Sequence, residues 1–216
     1  MPYQNLLGLL AIMILVFAIM MLSHRRPKSC IPLYAAQSLS LALVAGIVAY
    51  TRGISGLYIS AALIVLIKAI AIPKGMSHII DKIGVDREVD IPVGIRTSLL
   101  ICGMLVVLSY YVAQPFIAAF ESPLARLLPI AMSVLLIGFF LMVSRRTAIM
   151  QLLGLLIMEN GIFLTAMSVT YGMPLIVELG IFFDVLIATL IIGLMVFRIN
   201  STFDSIDTAH LRSLKG

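Results

Sequence analysis

Three ionisable residues, Lys68, Glu159 and Asp184, stand inside stretches that are otherwise apolar. Where such a stretch crosses a bilayer, an ionised side chain at its centre costs roughly 2.5–3.5 kcal/mol on insertion scales, so it persists only beside a partner or a hydrated path. Glu159 and Asp184 belong to successive stretches joined by a turn near Gly172, thirteen residues after the first acid and twelve before the second. At about 1.5 Å of rise per residue, both carboxyls fall about 18–20 Å from that turn, at nearly equal depth. Burial disfavours an ionised carboxyl, and a second carboxylate nearby disfavours one member further, so such a pair can exchange protons near neutral pH. That is the chemistry of a proton relay. The bland alternative is a neutral acid that hydrogen-bonds a neighbouring helix for packing.

Lys68 precedes Pro73 by about one turn, and Pro73 is expected to end its helix. From there the ammonium either snorkels to the near surface or supplies a countercharge or a proton to the acids. Gln37, Asn160 and Glu178 are candidate polar support; Glu178, about one turn from the outer end of its stretch, also reads as a solvated mouth residue. Gly161, close after Glu159, and Gly154, a heptad before it, would let another helix approach that face.

The elements that carry these residues follow from composition. The chain has 216 residues, 62 % hydrophobic and 12 % charged, with a mean hydropathy of +1.15. A soluble domain is about 45–50 % apolar and roughly 25 % charged, and a fold of this size cannot hide such an excess from water. A soluble enzyme, a nucleic-acid reader and a disordered tail are excluded, and long unbroken apolar runs exclude a β-barrel of alternating segments. The expected fold is all-α and polytopic, with about seven transmembrane helices over 5–22, 31–50, 57–72, 97–120, 127–143, 147–170 and 175–197. Each run is near the ~20 residues a crossing needs. The third is the shortest, because Pro73, Lys74 and Gly75 are expected to stop it, and Pro115 should kink or end the fourth. The first run lacks a basic segment before it and is followed by Arg25, Arg26 and Lys28, so it reads as a retained helix and not a signal peptide.

Alternate connections hold Arg25, Arg26 and Lys28, the loop 74–96, Arg145 and Arg146, and a tail with Arg198, Arg212 and Lys215, twelve of the fifteen basic residues. The bias predicts an N-terminus outside and a cytoplasmic C-terminus. The net charge of +5 is therefore read as orientation, not as a nucleic-acid partner. In the loop 74–96, where basic and acidic residues balance, Ser77 is expected to cap a short helix through Ile83. Cys30 and Cys102 lack metal-ligand spacing, and no phosphate loop, nucleophile triad or haem-ligand pair is present, so neither metal nor cofactor is expected in this chain.

Setting Gln37 opposite Glu159 brings Tyr50 within one position of Tyr171 and Ala61 within one of Asp184. The pattern suggests a parallel repeat of two three-helix units. It divides the chain into a first unit with its cytoplasmic loop (1–96), a connecting helix (97–120), a second unit (121–198) and a cytoplasmic tail (199–216).

The stretch from Gly154 to Gly161, with Met158-Glu159-Asn160-Gly161 at its end and Asp184 one helix later, resembles the K-type subunit of bacterial complex I and the C subunit of Mrp antiporters. With Tyr34-Ala35-Ala36-Gln37-Ser38-Leu39, Lys68 and the ending Leu211-Arg212-Ser213-Leu214-Lys215-Gly216, the whole chain resembles the component E family of the hydrogenase-4 and formate hydrogenlyase group. The resemblance implies a non-redox membrane subunit between antiporter-like subunits and the membrane anchor of a hydrophilic redox arm. Iron–sulfur clusters, with a nickel–iron site where the partner is a hydrogenase, would reside in those partner subunits. Asp184 matches the second of two intramembrane glutamates of the K-type subunit, whereas the first usually lies three residues before Glu159, where Leu156 stands. The alternatives are a subunit of a multi-subunit cation/proton antiporter and a purely structural membrane scaffold.

Overall fold

The computed structural model describes residues 2–83, 93–119 and 123–170. Its helices are α1 (Pro2–Ser23), α2 (Pro27–Arg52), α3 (Ser55–Leu63), a π-helical segment (Ile64–Ala71), α4 (Ile72–Ile83), α5 (Ile95–Ala119), a 3-10 turn (Pro123–Leu127), α6 (Leu128–Ser144) and α7 (Ala148–Thr170). Six of the resulting rods are long and apolar enough to cross a membrane, because α3, the π segment and α4 form one of them. No strand occurs among the described residues. The protein is a multi-pass helical membrane protein. The expected seventh run, with Glu178 and Asp184, lies outside the described residues.

Local chemistry sets the helix ends. Pro27 opens α2 at a position where no backbone donor is required. Gly53 closes it in the left-handed region at φ 69°, donating its N–H to the Ala49 carbonyl at 2.9 Å. That backbone conformation suits glycine because it has no Cβ to clash. Thr51 and Arg52, beyond the expected run 31–50, are thus helical, and the turn is confined to Gly53 and Ile54.

The third rod departs from expectation. Pro73, Lys74 and Gly75 do not stop it; the helix continues to Ile83, and Ser77 lies inside it instead of capping a new one. Pro73 lies one residue beyond the π segment, at whose end the Ile72 N–H reaches back to the Ile67 carbonyl. A proline that ends an α-helix does so by colliding with the turn before it, and here that turn is a wider one. Likewise Pro115 does not end α5, which runs on to Ala119.

Polar contacts join the ends of different helices. Lys28 Nζ pairs with Asp81 at 2.6 Å, joining the start of α2 to the end of α4. The buried Arg145 guanidinium donates to the Leu22 carbonyl at 2.6 Å and to the His24 carbonyl at 3.3 Å, joining the α6–α7 corner to the end of α1. Three of the basic connections therefore lie at one end of the bundle.

Between lipid-solvated helices, close backbone approach matters more than apolar driving force. α6 and α7 achieve it through glycine. A Cβ at Gly154 would lie 2.5 Å from the Met142 backbone nitrogen, and one at Gly161 would lie 2.6 Å from the Leu135 Cα. From the other side, a Cβ at Gly138 would meet the Gly154 carbonyl at 2.9 Å. α5, by contrast, turns Met104, Val107 and Tyr111 outward.

Candidate functional site

Glu159 lies eleven positions from each end of α7, about 16 Å along the axis from either end. That is half of the ~30 Å hydrocarbon thickness. Gly154 and Gly161 are a heptad apart and face α6, not the side of Glu159 as expected; Glu159 and Asn160 point to the opposite side, roughly 140° and 240° around from Gly154. The glycine seam thus clamps one face of α7 while the other presents a carboxyl and an amide to α2 and the third rod.

The third rod meets them with Lys68, midway between Ser55 and Asp81. Since the helix does not end at Pro73, this lysine belongs to the middle of its span, and it does not snorkel. Its ammonium lies 2.9 Å from Glu159 Oε1, and the two side chains are 3 % and 6 % exposed. Nζ also donates to Asn160 Oδ1 at 3.2 Å. Asn160 Nδ2 donates onward to Gln37 Oε1 at 3.2 Å and to Ser38 Oγ at 3.4 Å. Gln37 Nε2 ends the series on the Ile14 backbone carbonyl at 3.0 Å. Four rods thereby converge on one buried polar network.

The π segment explains how Lys68 comes to face it. Ser60, Ile64, Lys68, Ile72, Met76 and Ile80 are all buried, at steps of four residues. In a straight α-helix each step of four overshoots a turn by about 40°, so five steps would carry the stripe about 200° around the rod. The wider turns between Ile64 and Ala71 take up that overshoot. Both halves of the rod keep their packed face inward, with the lysine at the join.

The sequence singled out Lys68, Glu159, Asn160 and Gln37, and the structure brings all four together. Asp184 and Glu178 lie outside the described residues. Ser38, the Ile14 carbonyl and the π segment were missed; the every-fourth stripe was a readable signal for the last, masked by apolar neighbours on all sides. Among the described residues no cluster of His, Cys, Asp or Glu is arranged to hold a metal ion.

No family model and no solved structure matches the chain. Hydrogenase-4 component E of Escherichia coli K12 is 29 % identical over 213 residues, covering 99 % of this chain and 97 % of that protein. The likeness to hydrogenase-4 component E is distant but runs along nearly all of both chains. The component E of Shigella flexneri matches to the same extent. The uncharacterised Mycobacterium tuberculosis protein Rv0085 is 37 % identical over 129 residues, which cover 60 % of this chain and 59 % of that protein. The component E likeness thus agrees with the family suggested by the Glu-Asn-Gly motif, Lys68 and the C-terminal tail.

Proposed function

We propose that the protein is a non-redox membrane subunit of a complex-I-like, group 4 hydrogenase-type assembly in a prokaryotic inner membrane, and that its buried Lys68–Glu159 pair belongs to an ion path. The full-length likeness to hydrogenase-4 component E supports the assembly. The observation that carries the ion path is the pair itself, enclosed at mid-depth and continued by polar side chains. Its partners would be antiporter-like subunits, a membrane anchor and a hydrophilic arm that holds the iron–sulfur clusters and, in a hydrogenase, the nickel–iron site.

The chemistry follows from the pair. With the proton on Lys68 and Glu159 ionised, each charge offsets the other's desolvation. A proton delivered to Glu159 neutralises the carboxyl and leaves the ammonium without its countercharge, at a large cost in a low dielectric. The ammonium proton then moves on to the next acceptor, for which Asp184 is the candidate, and the pair resets when Glu159 releases its proton to Lys68. Because each state of the pair repels the wrong occupancy, protons advance singly.

Glu159→Gln and Lys68→Met, each in the assembled complex in sealed vesicles, test this reading. Both are expected to leave assembly intact and to lower ion movement per turnover at least tenfold. Normal ion movement in both would remove the relay and leave the second reading, a polar clamp that orients four rods, which the hydrogen-bonded series from Lys68 to the Ile14 carbonyl favours.

A further inference from the structure

A backbone carbonyl can only accept a hydrogen bond, so amide orientations can be read outward from it. The Ile14 carbonyl receives Gln37 Nε2, which turns the Gln37 oxygen toward Asn160. Asn160 answers with Nδ2, and its own oxygen is left for Lys68. Reversing either amide would set NH2 against NH2, or against an ammonium, and both residues are fully buried. Ser38 cannot impose this order, because its hydroxyl both donates and accepts.

We propose that Gln37 is a positioning residue for the ion path: anchored on the α1 backbone, it locks Asn160 with its oxygen toward Lys68. The lysine then faces two acceptors, the Glu159 carboxylate and the Asn160 carbonyl, and is held as the proton-bearing member of the pair. The polarity of the site is set on α1, two side chains away from the charge. This rests on the relay reading above and adds to it a residue that touches neither ion.

Two variants of the assembled complex separate positioning from packing. Gln37→Leu keeps the bulk and removes the polarity. Gln37→Glu keeps both while the introduced carboxyl is neutral, since its O–H donates to Ile14 and its C=O accepts from Asn160; once ionised it cannot donate. Among the described residues, the charged groups of this network are Lys68 on the π segment and Glu159 on α7, and α1 contributes the Ile14 backbone oxygen. Ion movement per turnover in vesicles is measured against pH, with Lys68→Met in parallel.

Loss of a hydrogen-bond series ending on a charge is expected to lower coupling about tenfold, at every pH for Gln37→Leu. Gln37→Glu should match the unaltered protein at low pH and fall to the Gln37→Leu level as pH rises. A Gln37→Glu profile parallel to that of the unaltered protein, at a high or a low level, overturns the proposal. If Gln37→Leu fails to assemble, the Gln37→Glu profile decides by itself. Unimpaired coupling in Lys68→Met overturns the relay and this proposal with it. A defective Lys68→Met beside a parallel Gln37→Glu profile overturns the positioning role alone.

Discussion

Lys68 and Glu159 are more than ninety positions apart in the chain, yet their charges lie 2.9 Å apart in the membrane core. Each was visible in the sequence as an ionisable residue in an apolar run, and a countercharge role for Lys68 was one of its two readings. What the sequence left open was which reading holds and which acid is met, because no local pattern links residues on distant helices. The same holds for Asn160 and Gln37, 123 positions apart. Removing one member of a buried ion pair strands the other, at a cost of about 3–5 kcal/mol, whereas replacing both with apolar residues is often neutral. Lys68→Met and Glu159→Gln are therefore each expected to lower the thermal stability of the purified protein. Lys68→Met combined with Glu159→Met should recover most of it. Additive losses in the double variant would show that the two residues do not act as a pair.

At the scale of elements, the positions of the helices were largely legible, because runs of ~20 apolar residues leave few alternatives. What the sequence concealed was the continuity of the third rod. Pro73 and Gly75 carry the usual stop signals, and only the π segment ahead of them lets the helix run on to Ile83. The close contact of α6 and α7 was half legible: Gly154 and Gly161 pointed to it, but their facing residues, Gly138 and Leu135, required the fold. Gly161→Ala would drive a methyl into the Leu135 backbone and is expected to destabilise by about 1–3 kcal/mol, the usual cost of overpacking. Gly103→Ala on α5, where nothing lies within 4 Å, should instead stabilise by about 0.5–1 kcal/mol through helix propensity. Thermal unfolding in detergent compares the two; equal shifts would argue against a glycine-dependent seam.

For the whole molecule, the contacts of Lys28 with Asp81 and of Arg145 with Leu22 and His24 gather three basic connections at one end. The charge bias predicts that this end faces the cytoplasm. Single cysteines at Lys28 and Arg146, with Cys30 and Cys102 replaced, should react with an impermeant thiol reagent only in inside-out vesicles. Cysteines at Arg52 and Arg126 should react only in right-side-out ones. The opposite pattern would reverse the orientation while leaving the bundle unchanged.

The central claim is that Lys68 and Glu159 are joined in order to move charge and not merely to hold helices together. The double variant Lys68→Met with Glu159→Met, apolar and therefore expected to fold and assemble, addresses it most directly through ion movement per turnover in sealed vesicles. The account predicts an assembled complex whose ion movement is lost. Ion movement equal to that of the unaltered complex would contradict it.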